Sequence, residues 1–213
     1  MKLNVLVACE YSGRVRDAFL KRGHNAYSCD ILPTDSTFFQ DRTQNHIQGD
    51  ILDVLAQTKD YGWDILIAHP PCTDLAVSGS RYFAQKIADG RQQRALDFVQ
   101  ALMDADIPRI VLENPISVIS SKIRKPDQII QPWQFGHPES KSTCLWLKNL
   151  PKLVPTNVLE VPASGRWSNQ TPGGQNKLGP SPDRWKIRST TYLGIAEAVA
   201  EQFSNYMAQH PIK

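Results

Sequence analysis

Apolar residues in the first half of the chain occur in short continuous runs that are separated by polar segments. Runs of this kind are typical of strands that are buried on both faces of a parallel sheet. They predict, in order, strand 4–9, helix 13–22, strand 25–29, strand 46–48, strand 63–68, helix 91–105 and strand 108–113. This alternation predicts an α/β fold in which helices cover both faces of a mostly parallel sheet.

The second half of the chain predicts two more elements and one irregular segment. The run 144–147 predicts a strand near the far edge of the sheet, and apolar residues at helical spacing predict a helix over 194–207. Residues 161–190 contain four prolines, four glycines and five basic residues against one acid. We therefore expect a single domain over 1–213, in which residues 155–190 form a small basic loop or lobe.

Composition limits the class of protein. A chain of 213 residues that is 41% hydrophobic can bury one core, and a net charge of +3 permits a polyanionic partner. The four cysteines, Cys9, Cys29, Cys72 and Cys144, lack the close spacing of a zinc ribbon or a secreted disulfide framework, so we expect a cytoplasmic protein without a metal site. No run approaches the length of a membrane span or a signal peptide, so we expect no membrane partner.

Two reactive side chains follow apolar runs at predicted strand ends. Cys72 comes directly after Pro70 and Pro71, and the two prolines restrict the backbone so that the thiol is presented on a stiff loop. Glu113 emerges at the end of the strand 108–113. Because open α/β sheets bind ligands at the carboxyl ends of their strands, we expect both side chains to face one pocket.

Three other strand ends carry groups that suit an adenosine-type ligand. A tight turn over 10–13 follows the first strand, Asp30 ends the second where a carboxylate commonly accepts ribose hydroxyls, and Asp50 follows the third. A plain turn at Gly13 and helix capping by Asp30 or Asp50 are the alternatives. The chain lacks a glycine-rich phosphate loop, so the ligand would carry no diphosphate. With Cys72 nearby, this set suggests methyl transfer from S-adenosyl-L-methionine.

These motifs resemble those of the cytosine-5 DNA methyltransferases, and most closely their short phage and prophage forms. The resemblance covers most of residues 4–115 and resumes weakly at 134–148 and 188–207. It is carried by Pro70-Pro71-Cys72, Glu113-Asn114-Pro115, the turn at Glu10 to Gly13, Asp30 and Gly49-Asp50. It implies a Rossmann-like class I methyltransferase fold, and cofactor contacts from Glu10, Tyr11, Ser12, Gly13, Asp30, Ile31, Asp50, Ile51 and Pro70.

The resemblance also implies a covalent mechanism on a base that is flipped out of the duplex. Cys72 would add to C6 of cytosine, with its thiolate favoured by neighbouring positive charge. Glu113 would hold N3 and the exocyclic amine, and burial is expected to raise its pKa. Lys141 is the one residue near the family's later arginine motif that supplies a positive charge, although a solvated surface lysine is the alternative.

Two residues beside the cysteine motif depart from the family pattern. His69 replaces a small residue and Thr73 replaces a glutamine. His69 would hydrogen-bond a phosphate or the substrate, but a histidine whose hydrogen bonds are satisfied within the fold is the expectation we favour.

DNA is the expected partner, and recognition would fall to the short basic segment. Arg166, Lys177, Arg184 and Lys186 are the candidate DNA-binding residues, with Trp167 and Trp185 as stacking surfaces. A lid ordered by its own packing is the alternative for this segment. The same chemistry on RNA or a free nucleotide, and a noncatalytic relative, stay open as alternative functions, and a monomer is the default assembly.

Overall fold

The protein is described by a computed structural model that covers residues 1–57, 61–174 and 176–211. Its strands are β1 Asn4–Ala8, β2 Asn25–Asp30, β3 His46–Gln48, β4 Ile65–Ala68, β5 Ile110–Pro115, β6 Gln128–Ile130 and β7 Thr143–Lys148. Its helices are α1 Arg14–Lys21, α2 Ile51–Ala56, α3 Phe83–Ala88, α4 Arg91–Met103, α5 Ile119–Lys122, α6 Arg184–Ser189 and α7 Leu193–Gln209. None of these helices is both long enough and apolar enough to span a membrane.

The strands form one sheet with the order β3-β2-β1-β4-β5-β7-β6. The pairs from β3 through β5 are parallel, whereas β7 runs antiparallel to both of its neighbours. Strand order reverses between β1 and β4, and this switch point is where a doubly wound sheet opens a crevice at the carboxyl ends of its strands. The topology therefore predicts that a ligand binds where the parallel strands β1 through β5 have their carboxyl ends.

Two apolar layers cover the two faces of the sheet. One layer packs α1 and α7 against side chains such as Val5, Val7 and Ile67, and the other packs α2 and α4 against Leu6, Leu66 and neighbouring residues. Strand β4 is buried at all four positions, as its unbroken apolar sequence requires. The predicted sheet with helices on both faces is confirmed.

The structure corrects several predicted boundaries. Strand β1 ends at Ala8 because Cys9 adopts a positive φ of 58°, which an extended strand does not accommodate. Strand β4 begins at Ile65, two residues after the predicted start, and β5 runs from Ile110 to Pro115 where 108–113 was predicted. The predicted strand at 144–147 is present as β7, but β6 lies outside it, so β7 is the second strand from the edge.

Four short helices of the described residues were not predicted. Helix α2 follows β3, α3 follows a 3₁₀ turn over Val77–Tyr82, α5 follows β5, and α6 lies inside the segment that was predicted to be irregular. Each has six residues or fewer, which is too short for a periodic apolar pattern to be recognisable.

Candidate active site at the carboxyl ends of β4 and β5

The loop that carries Cys72 is held in place from two sides. Pro70 is buried, and its carbonyl accepts a hydrogen bond of 2.9 Å from Nδ2 of Asn114 at the end of β5. On the far side of the cysteine, the buried Lys86 donates from Nζ to the carbonyl of Thr73. The Cys72 thiol is free and exposed on this braced loop. Hydrogen bonds from Asn114 and Lys86 therefore hold the loop that presents Cys72.

Glu113 is paired with a histidine from the neighbouring strand end. Nδ1 of His69 lies 3.0 Å from Oε2 of Glu113, and the two side chains are only 11% and 20% exposed. Nε2 of His69 is buried and has no hydrogen-bond partner among the described residues. The expectation that His69 would be a fully satisfied structural histidine is therefore wrong, because half of its hydrogen-bonding capacity is unused.

The His69–Glu113 pair borders a narrow pocket between the sheet and α7. Its polar lining residues are His69, Glu113, Lys141, Thr143, Thr191 and Tyr192. Nζ of Lys141 donates a hydrogen bond of 2.8 Å to the carbonyl of Arg188 and lies 5.7 Å from the ring centroid of Tyr192. Lys141 is thus half-buried beside the candidate catalytic groups, and the alternative of a fully solvated surface lysine is wrong.

Charges around Glu113 determine the direction of its pKa shift. Desolvation acts to raise the pKa, but the hydrogen bond from His69 and the positive charge of Lys141 outweigh it, so the pKa of Glu113 lies below its ordinary value. We expected burial to prevail and raise this pKa, and that expectation is wrong. Glu113 by itself is therefore an ionised carboxylate at neutral pH.

The environment of Cys72 also differs from expectation. Desolvation and the negative charge of Glu113 raise the pKa of the thiol, and the positive charges of Lys141 and Arg188 only partly oppose them. We predicted that positive charge would favour the thiolate. Lys141 and Arg188 do act in that direction, but the pKa of Cys72 is raised overall, so the prediction is wrong. These influences also show that Cys72, Glu113 and Lys141 share one electrostatic neighbourhood.

The turn after β1 depends on a buried carboxylate. The two oxygens of Glu10 accept hydrogen bonds from the backbone amides of Val15, at 2.7 Å, and Arg16, at 3.2 Å, at the start of α1. Burial raises the pKa of Glu10, while the charge of His69 and these two amides oppose the shift. Both Glu10 oxygens therefore serve the turn itself, and any effect on a cofactor would pass through the backbone.

Tyr11, another predicted cofactor residue, anchors the basic segment. Its hydroxyl donates to the carbonyl of Lys186 at 2.8 Å and lies 3.0 Å from Oγ1 of Thr190, and its ring lies 5.8 Å from that of Trp185. Ser12 lines a separate surface groove. Helix α6 is thus fastened to the turn over 10–13, a contact between residues about 175 positions apart.

The ends of β2 and β3 provide surfaces that fit an adenosine. Desolvation raises the pKa of Asp30, whose Oδ1 accepts a hydrogen bond from the amide of Leu32, and the next side chain, Ile31, is 74% exposed. Asp50 is exposed and caps α2 through the amide of Leu52, as the capping alternative predicted.

Desolvation raises the pKa of the Cys9 thiol, and the carboxylates of Asp30 and Asp50 contribute to the same shift. The three strand ends therefore adjoin one another. Ile51 is buried in the core and offers only its backbone to a ligand. A carboxylate beside an exposed apolar side chain, with no phosphate cradle, fits the adenosine part of S-adenosyl-L-methionine.

The candidate DNA-binding residues differ in their availability. Arg166, Lys177 and Lys186 lie on the basic segment with Arg184, but Nζ of Lys186 forms an ion pair of 2.6 Å with Asp35. Trp185 is 54% exposed, whereas Trp167 is buried and stacks on Trp133 with ring centroids 6.3 Å apart. Trp185 therefore suits base stacking, and Trp167 instead stabilises the segment.

Four residues at the pocket were missed or undervalued from the sequence. Thr143 reaches Glu113 from β7, Arg188 lies near Cys72, and Thr191 and Tyr192 line the pocket before α7. Thr191 and Tyr192 lie within 188–207, where the resemblance of the motifs is weak. No local sequence signal marks Thr143 or Arg188, because each reaches the site through a long-range contact.

This chain is similar to known proteins in structure but not significantly in sequence. No protein-family model matches the sequence, and no curated protein matches it significantly. Among solved structures, a candidate DNA modification methyltransferase encoded within a prophage of E. coli is similar to this chain with a TM-score of 0.50, 17% identity, and coverage of 75% of this chain and 53% of that chain. The methyltransferase EhMeth of Entamoeba histolytica is similar with a TM-score of 0.50, 19% identity, and coverage of 76% and 59%.

The fold is that of the class I S-adenosylmethionine-dependent methyltransferases. At this level of identity the likeness establishes architecture, and the chain spans little more than half the length of either structure. Chemistry and substrate must be argued from the side chains of this chain.

Proposed function

We propose that this protein transfers a methyl group from S-adenosyl-L-methionine to C5 of cytosine in DNA through a covalent adduct with Cys72. The observation that carries the proposal is the common electrostatic neighbourhood of Cys72 and Glu113 at the ends of adjacent strands. Methyltransferases of similar fold support the transferase class, and the name of one of them concerns DNA modification.

Each polar group in the pocket has a role in this chemistry. C5 of cytosine is a poor nucleophile, and addition of the Cys72 thiolate to C6 makes C5 enamine-like. Glu113 accepts from the exocyclic amine and holds a proton at N3, which offsets the negative charge that the addition pushes into the ring. Lys141 contributes a fixed positive charge beside the same groups. Elimination then frees the thiol.

The cofactor would lie across the ends of β1, β2 and β3. Asp30 would accept the ribose hydroxyls, and the exposed Ile31 would contact the adenine. When bound, the cofactor supplies the methyl group. The raised pKa of Cys72 describes the protein without bound molecules, and a bound sulfonium adds the positive charge that favours the thiolate.

Covalent trapping tests this proposal directly. The protein is incubated with labelled S-adenosyl-L-methionine and duplex DNA in which the cytosines are replaced by 5-fluorocytosine. The fluorine cannot leave as the C5 proton does, so a cysteine mechanism leaves a protein–DNA adduct that survives denaturation. We expect this adduct with the wild type and none with Cys72→Ser.

Two matched controls make the experiment decisive. Cys144→Ala removes a thiol that is buried in the core and does not line the pocket, and this variant should still form the adduct. RNA and free dCMP are offered as alternative acceptors in parallel reactions. Methylation of DNA by Cys72→Ser, or labelling confined to RNA or dCMP, would contradict the proposal.

A further inference from the structure

The His69–Glu113 pair contains more hydrogen-bonding capacity than the fold uses. Nδ1 of His69 meets Glu113 at 3.0 Å, whereas Nε2 is buried without a partner among the described residues. A buried polar atom without a partner costs free energy, so a structural role by itself does not explain this imidazole.

The charges that face the imidazole favour a proton on it. Glu113 approaches from β5 and Glu10 from the turn after β1, while the positive charge of Lys141, which precedes β7, opposes them. Desolvation acts to lower the pKa of His69, but the two carboxylates outweigh it and hold the pKa above its ordinary value. The pair therefore keeps one proton in common under conditions in which Glu113 alone would have none.

We propose that His69 supplies Glu113 with the proton that Glu113 passes to N3 of the target cytosine, so that the two side chains act as one proton-holding pair. This inference rests on the proposed function and deepens it. His69 acts through Glu113 and is a positioning and proton-supplying residue rather than a group that touches the base.

The step balances in atoms and charge. As the thiolate of Cys72 forms its bond to C6, the electron pair of the C5–C6 bond moves toward N3. The proton on Nδ1 of His69 passes to the Glu113 carboxylate, and the carboxyl group passes this one proton on to N3. The imidazolium becomes neutral, Glu113 returns to the ionised form, and the negative charge of the thiolate is cancelled. After methylation, the C5 proton is lost to solvent, the C6–S bond breaks to release the thiolate, and the proton at N3 returns to the pair through Glu113.

Substitutions at His69 separate proton supply from simple orientation. In His69→Asn, the side-chain amide can still donate one hydrogen bond to Glu113, but it carries no proton that can be released. In His69→Ala, both functions are lost. His210→Gln serves as the control, because His210 is exposed at the end of α7 and does not line the pocket.

The readout is the pH dependence of adduct formation in a single turnover on 5-fluorocytosine DNA. The active form needs the Cys72 thiolate together with one proton on the pair. The ordinary pKa of histidine, 6.5, lies below that of cysteine, 9.0, and both shift upward here, so we expect the rate to rise with pH until it passes the raised pKa of His69.

In His69→Asn, the only remaining proton is that of Glu113. The acid-side break should then move toward the ordinary carboxyl value of 4.5, and the plateau rate should fall about 100-fold. A lower rate with an unchanged acid-side break would mean a merely structural role and would overturn the proposal, as would an unchanged rate.

A second measurement does not depend on activity. The His69 imidazole is titrated by NMR in the free protein, and we expect a pKa above 6.5 that falls in Glu113→Gln. A titration that Glu113→Gln leaves unchanged would overturn the pairing. If the wild type forms no adduct at all, the proposed function fails and proton supply fails with it. An adduct with the same acid-side break in wild type and His69→Asn would reject proton supply alone.

Discussion

His69 and Glu113 show how one contact reverses an expectation drawn from burial. A buried carboxyl group usually has a raised pKa, and Glu113 would follow that rule if its environment were apolar. The hydrogen bond from His69 and the charge of Lys141 shift its pKa the other way. At this site, the identity of neighbouring residues matters more than the extent of burial.

The same pair predicts a pH-dependent stability. The pKa of His69 is raised, so its stabilisation is full below 6.5 and is lost as the pH rises through the folded-state pKa. The pKa of Glu113 is lowered, so its stabilisation is full above 4.5 and is lost as the pH falls through the folded-state pKa. We expect His69→Ala to lower the free energy of unfolding most between pH 4.5 and 6.5, by about 3 kcal/mol.

Urea denaturation across pH 4 to 9 measures this difference between wild type and His69→Ala. His210→Ala is the control, since this side chain is exposed and its removal should change the free energy of unfolding little. A loss for His69→Ala that is equal at pH 5.5 and pH 9 would refute a charged pair.

At the scale of elements, the turn between β1 and α1 shapes the predicted cofactor-binding surface at the ends of β1, β2 and β3. Gly13 has a φ of +68°, and a Cβ added there would lie 2.7 Å from both Cβ of Ser36 and the guanidinium of Arg16. Arg16 is itself buried and forms an ion pair with Asp17, so its guanidinium has little room to move. Glycine is required here by conformation and by space together.

The structure provides a matched pair of glycines to separate these two causes. Gly23 also has a positive φ, of +81°, but a Cβ there would meet nothing within 4 Å. We expect Gly23→Ala to lower the free energy of unfolding by about 1 kcal/mol, from conformational strain alone. Gly13→Ala should lose at least twice as much, as measured by urea denaturation. Equal losses would show that the close contacts at Gly13 relax without cost.

Helix α6 gives the basic segment a definite position. Tyr11 and Asp35 fasten Lys186, and Lys141 donates to the carbonyl of Arg188, so α6 lies between the turn over 10–13 and the candidate catalytic pocket. The Lys186–Asp35 pair lies at the surface, and an ammonium group that already pairs with a carboxylate is a poorer ligand for a phosphate. Lys177 and Arg184 are therefore better candidates for contacts with DNA than Lys186.

At the scale of the whole molecule, the net charge of +3 is modest, so DNA binding would depend on where the basic residues lie on the surface. If DNA lies over the basic segment, Lys177→Ala and Arg184→Ala should each weaken binding. Each should also reduce the slope of log affinity against log salt concentration by about 0.9. Titration of a fluorescent duplex at several salt concentrations measures both effects.

Lys148 is the control for this prediction. It lies at the end of β7 that pairs with the beginning of β5. Lys148 is therefore at the opposite end of the strands from Cys72. Lys148→Ala should leave the salt slope unchanged. An equal decrease in slope for Lys148→Ala would indicate diffuse attraction over the surface and contradict a binding site at the basic segment.

The sequence by itself determined six strands, β1 to β5 and β7, and the placement of Cys72 after β4 and of Glu113 near the end of β5. Short-range signals encode both, because continuous apolar runs mark buried strands and prolines mark the stiff loop. The class I fold that the motifs implied is confirmed by the sheet order and by the similar structures.

Only the tertiary structure decided what each candidate side chain meets. The contact of His69 with Glu113, the approach of Lys141 to Glu113 and the docking of α6 on Tyr11 join residues that are 28 or more positions apart. The directions of the pKa shifts follow from these contacts, because desolvation and neighbouring charge oppose each other and only the three-dimensional arrangement determines which is larger.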